Sequence, residues 1–175
     1  MPLISEAYRE QQTAMHAKGN YGTASLQYGG LVSSLIDKTK VTTLLDYGCG
    51  KMMNLSKVLA PGHDVEYTGY DPAIPELSIK EPAQMVCCID VLEHIEPEYL
   101  DDVLDDLKAL VQVCGFFTVH TGPAIKTLPD GRNAHLIQQP PKWWLDKLWQ
   151  RFSVGTFQVT DNGFWVVVYG SDKLR

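Results

Sequence analysis

The chain is short of positive charge: its 175 residues carry 15 Lys and Arg against 21 Asp and Glu, for a formal net charge of −6. That balance disfavours a broad basic surface for nucleic acid, although a local groove remains compatible with it. Cysteine is scarce too, limited to Cys49, Cys87, Cys88 and Cys114. None has the paired spacing of a zinc site, so no metal is expected. The four read as small buried apolar residues in a reducing compartment, and the expected location is cytoplasmic. No apolar run is long enough to cross a bilayer. Met1 to Glu10 has neither the basic nor the apolar region of a secretory signal, so no membrane partner is expected. Repeats, low-complexity tracts and linkers are missing as well. What is present, 45% hydrophobic and 21% charged residues, suits one soluble domain over residues 1–175. Nothing in the sequence speaks to oligomeric state.

Periodicity predicts alternating elements. Ser5 to Met15 has Tyr8, Gln12 and Met15 at one-face helical spacing. That stripe is half polar, which fits a helix covering a site better than one filling a core. Lys18-Gly19-Asn20-Tyr21-Gly22 reads as a turn, and Ala24 to Ile36 as a second helix. Val41 to Tyr47 reads as a buried strand, followed by a Gly-x-Gly turn that opens a helix through Leu59, stopped by Pro61-Gly62. Val65 to Tyr70 and Met85 to Ile89 are further strands, the latter without charge, as in a buried parallel sheet. Pro97 opens a helix with the apolar stripe Leu100, Val103, Leu104, Leu107, Leu110 and Val111. Gly115 to His120 is a strand, and a long loop over residues 122–139 leads to a helix opened by Pro140-Pro141. Two strands joined by Asp161-Asn162-Gly163 close the chain as a hairpin.

This order predicts an α/β fold: a doubly wound, mostly parallel sheet of about six strands with a reversed last strand and helices on both faces. Between Asp71 and Met85 only about a dozen residues remain, among them Pro72, Pro75 and Pro82. That is too few for a helix, strand and crossover, so one edge βα unit is trimmed.

Three segments carry the chemistry. Leu44-Leu45-Asp46-Tyr47-Gly48-Cys49-Gly50 is a strand ending in an acid and a Gly-x-Gly turn. Tyr70-Asp71-Pro72 ends the second strand. Ile89-Asp90-Val91-Leu92-Glu93-His94-Ile95 follows the third. Glycines let a turn tighten and a backbone approach a ligand, and carboxylates at strand ends can accept from ribose hydroxyls or an ammonium. Asp46 also suits a cap and Asp71 a turn start.

In this order, with the closing hairpin, the segments resemble the class I S-adenosylmethionine (SAM)-dependent methyltransferase family. The resemblance implies a Rossmann-like fold and SAM as cofactor, with S-adenosylhomocysteine as product. It implies Asp46, Gly48, Cys49, Gly50, Asp71, Pro72, Asp90 and Val91 as the cofactor site, and residues 1–40 as N-terminal helices covering it. His16, Tyr21 and Tyr28 could line that cover. Two departures stand out: Met52 occupies the place of the family's usual third glycine, and the trimmed unit normally contacts the adenine. They motivate an alternative, a non-catalytic SAM-binding regulatory or partner module. A nicotinamide-dependent oxidoreductase is a second alternative, opposed by Met53 where its fingerprint needs glycine and by the segment from Asp90 to Ile95.

Methyl transfer needs the acceptor atom in line with the methyl–sulfur bond, and a base only where the acceptor loses a proton. His94, His120 and His135 are the candidate bases, each with a plain hydrogen-bonding role as the other possibility. The loop over residues 122–139 is expected to be an acceptor-binding lid. Lys126, Arg132 and Asn133 on it, with Trp143 beyond it as a stacking surface, are the candidate acceptor-binding residues. Trp144, Leu145, Leu148, Trp149 and Phe152 are expected to form the core face of that last helix. The acceptor, of unknown class, is expected to be a small molecule, glycan or protein rather than nucleic acid.

Overall fold

A computed structural model describes residues 2–17, 23–59 and 61–170; the turn expected at Lys18 to Gly22, with Tyr21, lies outside the described residues. In chain order the elements are α1 (Glu6–Ala17), α2 (Gly29–Thr39), β1 (Thr43–Tyr47), α3 (Asn54–Val58), β2 (Glu66–Tyr70), β3 (Ala83–Ile89), α4 (Leu100–Leu110), β4 (Val111–His120), α5 (Pro141–Trp149), β5 (Ser153–Thr160) and β6 (Gly163–Tyr169). They form one six-stranded sheet in the order β2-β1-β3-β4-β6-β5. Neighbours among β1, β2, β3 and β4 pair in parallel, and β6 runs antiparallel to both β4 and β5. The hairpin closes with Thr160 opposite Gly163. Among the described residues no strand lies beyond β2, as the short connection from Asp71 to Met85 predicts.

Side-chain alternation divides the sheet between two cores. Leu45, Tyr47, Val86, Cys88, Phe117 and Val166 pack with α4 and α5 on one face. Leu44, Met85, Cys87, Phe116 and Val167 pack with α2 and the short α3 on the other. A one-residue register slip would exchange the two sets, so burial on both faces fixes the pairing. All four cysteines are free and buried, Cys87, Cys88 and Cys114 in these layers and Cys49 in the turn after β1.

Four elements differ from expectation. Val111, expected on the apolar stripe of the helix after Pro97, is instead the first residue of β4, which starts four residues before Gly115. The helix after the Gly-x-Gly turn does not begin at Lys51: residues 48–53 are turn, and α3 starts at Asn54. Gly48, Gly50 and Met53 all have positive φ (76°, 61° and 43°), which a right-handed helix cannot accommodate. The second helix splits into a 3-10 turn over Ala24–Gln27 and α2. Trp144 and Leu148 on α5 and Phe152 just beyond it are buried, but Trp149 is 63% exposed. At 100° per residue Trp149 sits about 140° from Trp144, off the core face.

Where the trimmed unit would lie, the connection from β2 to β3 is a 3-10 turn over Pro75–Leu77 and an anchored return. Lys80 pairs with Asp106 at 2.9 Å and sits 4.1 Å above the Tyr70 ring. Tyr47 donates to the same carboxylate at 2.9 Å. One basic residue thus ties the shortened connection to β1, β2 and α4.

Candidate active site

Parallel strands end together, so the segments after β1, β2, β3 and β4 meet at one edge of the sheet. They enclose a cavity of about 440 Å³. Gly48, Gly50, Asp71, Pro72, Asp90 and Val91 line it, as do all three candidate histidines and Lys126. Gln12 and His16 of α1 also line it.

Gly48 is required by a close approach: a Cβ there would run into the Val91 side chain. The turn is drawn onto β2 by bonds from the Gly48 and Cys49 N–H groups to Tyr70 O (2.7 and 3.1 Å). Asp71 accepts from Gly50 N–H at 3.1 Å and Ala73 N–H at 2.9 Å. Each carboxylate oxygen has two lone pairs, so capacity for ribose hydroxyls remains. Asp90 holds a strained positive φ of 51° and is braced by Thr118, whose hydroxyl donates to it at 2.5 Å.

Helix α1 roofs the site. Ser5 donates N–H and O–H to Glu96 at 2.9 and 2.7 Å. The Tyr8 hydroxyl donates to His94 O at 2.6 Å, and Thr13 donates to Ala73 O at 2.8 Å. Tyr8, Gln12 and Met15 are buried, so the half-polar stripe is the inward face. Tyr8 and Met15 pack on Leu128 and Ala134 of the loop over residues 122–139. That loop is therefore ordered by packing and by its own bonds: Asn133 Oδ1 accepts from Ala124 and His135 N–H at 2.9 Å each, and its amide donates to Ala124 O at 2.8 Å.

Five candidates fall outside the cavity lining. Asp46 is 3% exposed and receives the Tyr67 hydroxyl at 2.5 Å behind the turn. Burial is the main reason its carboxyl is pushed up to about 6. Cys49 is buried beside it. Asn133 is spent on holding the loop. Arg132 forks onto Asp130 (2.9 and 2.7 Å), because an exposed carboxylate two residues away fits its planar donors. Trp143 packs edge-on against Trp144 at the core margin, 5.1 Å between ring centres. It lies one residue, not half a turn, from the buried face.

The three histidines form one cluster. His135 lies 4.8 Å, centre to centre, from both His94 and His120. Burial pushes His94 down to about 4 and lowers His135, keeping both rings neutral near pH 7. Beneath them Glu93, fully buried, accepts from His120 N–H at 2.9 Å. Burial, with Asp90 nearby, holds its carboxyl well above the usual range. Sequence reasoning gave no role to Glu93 or Thr118. Glu93 lay inside the segment Ile89 to Ile95, where a charge among apolar neighbours was the available signal; Thr118 carried none.

No protein-family model matches the chain, and no curated protein matches it. Solved structures do. The 1,6-didemethyltoxoflavin-N1-methyltransferase of Burkholderia thailandensis, solved with 1,6-didemethyltoxoflavin and S-adenosylhomocysteine, aligns over 98% of this chain and 93% of its own, with TM-score 0.68 and 14% identity. The fold is that of the class I SAM-dependent methyltransferases. The magnesium protoporphyrin IX methyltransferase of Synechocystis PCC 6803, with S-adenosylhomocysteine bound, has the same methyltransferase fold over 94% of this chain and 97% of its own (TM-score 0.58, 16% identity). The small RNA methyltransferase HEN1 shares it over 84% of this chain and 25% of its own (TM-score 0.64, 14% identity). Met52, at the position of the missing third glycine, is 47% exposed, so close helix–strand packing is not demanded of it.

Proposed function

We propose that this chain is a SAM-dependent methyltransferase. The observation that carries the reading is convergence: the glycine turn, Asp71, Asp90 and a cluster of three histidines all open onto one cavity at the carboxyl edge of the sheet. Gly48 and Gly50 admit the cofactor close to the backbone, and Asp71 takes its ribose. Pro72 and Val91, which line the cavity, would flank the adenine, and Asp90 would receive the ammonium. Of the N-terminal segment, α1 covers the cofactor, supplying Gln12 and His16, with Thr23 to Ser25 beside it. Asp46 and Cys49 support the turn from behind.

The acceptor enters on the side of His94, His120, His135 and Lys126. Bound SAM would supply the methyl group on a sulfonium that departs as a neutral thioether, and the part of these residues would be to hold the acceptor's lone pair in line with it. Where the acceptor is a hydroxyl, its proton passes to a histidine of this cluster. Alignment supplies the larger part of the rate and the base about 10²–10⁴-fold. A cavity roofed on one side by α1 and the net charge of −6 favour a small molecule, glycan or protein segment over nucleic acid. Four buried free thiols fit a reducing cytoplasm. Among the described residues no helix is long and apolar enough to cross a membrane.

Calorimetry with SAM, S-adenosylhomocysteine and NADH tests the reading, followed by assay for S-adenosylhomocysteine formation with panels of hydroxyl- and amine-bearing acceptors. SAM and its product should bind and NADH should not. Binding of NADH alone overturns the reading; SAM binding with no turnover across the panels favours the non-catalytic module.

A further inference from the structure

Glu93, His94 and His135 bring one ligating atom each within 4.8 Å of one another. They come from two separate segments: the 3-10 turn after β3 supplies Glu93 and His94, and the loop after β4 supplies His135. Backbone and ring bonds lock the segments together. Ile137 N–H donates to Glu93 O at 3.0 Å. His94 Nδ1 bonds Ala134 O at 2.8 Å, and His135 Nδ1 bonds Gly122 O at 2.7 Å.

Those two ring contacts decide the tautomers. A carbonyl oxygen only accepts, so each Nδ1 carries the hydrogen and each Nε2 carries the lone pair. Donation of the second ring nitrogen to a backbone carbonyl is how metal-binding histidines are oriented. The carboxyl beneath them supplies an independent sign. Glu93 is fully enclosed, one oxygen takes the His120 N–H, and the other, Oε2, has no hydrogen-bond partner among the described residues. An enclosed carboxyl oxygen left without a partner is costly and calls for a missing water or ion.

We propose that Glu93, His94 and His135 bind a divalent transition-metal ion at the floor of the cavity, and that the ion holds an oxygen of the acceptor. Two imidazoles and one carboxylate suit Mn²⁺, Fe²⁺, Co²⁺ or Zn²⁺. With bonds of about 2.0–2.2 Å, the three donors would close to roughly 3–3.5 Å of one another, a small contraction for side chains already this near. Three protein ligands leave positions open toward the cavity that His94 and His135 line. The acceptor class this selects is one bearing a coordinating hydroxyl. Metal binding stands by itself; its use in orienting an acceptor rests on the proposed methyltransferase reading.

The test uses the full chain, stripped with chelator and dialysed. Mn²⁺ binding is followed by electron paramagnetic resonance and Co²⁺ binding by visible absorption, in parallel with SAM calorimetry. One ion per chain should bind. Glu93→Gln and His135→Ala should each weaken it 10-fold or more while leaving SAM affinity within about threefold. Circular dichroism and the thermal midpoint confirm that each variant folds, and Glu93→Asp should recover part of the affinity. No saturable site in the wild type, or unchanged affinity in both folded variants, overturns the proposal. Metal binding without SAM binding would leave this site standing and remove the methyltransferase reading; SAM binding without metal would do the reverse.

Discussion

His16 Nε2 on α1 lies 3.6 Å from the Asp71 Oδ2 at the end of β2. This contact joins the cover of the cavity to the carboxylate placed to take a ribose. Burial lowers the His16 imidazole while the Asp71 charge partly restores it, so the contact is a weak one. A ligand hydroxyl can therefore replace it at small cost.

Asp71→Asn keeps the shape of the side chain and removes its charge. If the carboxylate accepts from the ribose, SAM affinity should fall by about 1.5–3 kcal/mol, roughly 10- to 150-fold. Calorimetry of the two proteins checks this. An affinity unchanged in the folded variant would mean that the cofactor lies elsewhere.

Asp46 makes stability depend on pH. Its folded value near 6 lies above the ordinary 3.8, so the folded state holds the proton more tightly. The contribution is present in full below pH 4 and disappears as pH rises through 6, a swing of roughly 3 kcal/mol. Urea midpoints from pH 4 to 7.5 should fall for the wild type by more than for Asp46→Asn. Parallel curves for the two would show that this carboxyl does not titrate as described.

The tryptophans of α5 should part company. Trp144→Ala empties a fully buried position and should cost about 3–5 kcal/mol. Trp149→Ala removes a ring that is mostly in water and should stay within about 0.5 kcal/mol. Denaturant melts of the pair read the difference directly.

Glu96 holds the start of α1 through Ser5. Glu96→Ala should loosen the cover without emptying the site. Amide exchange over Glu6–Ala17 should quicken, and bound SAM should leave faster, as seen in stopped-flow displacement. An unchanged dissociation rate would show that release does not pass this helix.

The strands, the hairpin and the glycine turn were legible because each rests on local pattern: alternation, two-residue turn chemistry and positions that only glycine fills easily. The inward face of α1 was legible for the same reason, since Tyr8, Gln12 and Met15 repeat at helical spacing. Long-range competition was not. Arg132 looked available until Asp130 claimed it, and Asn133 until the loop backbone did. Glu93 sat inside a recognised segment, yet its importance depends on His120 and His135 arriving from β4 and the loop after it. The late start of α3 follows from positive φ at three residues, of which Met53 gave no warning.

The two outer strands of the sheet carry a consequence for the chain's life in a crowded solution. β2 is only five residues long. β5 is longer, but its pairing shifts between Val154 and Thr156, where Gly155 is passed over against the Tyr169 ring. A short edge and a kinked one both make poor templates for a strand from another molecule. A side chain at Gly155 would meet the Tyr169 ring and disturb that kink, so its replacement should raise self-association, measurable by light scattering.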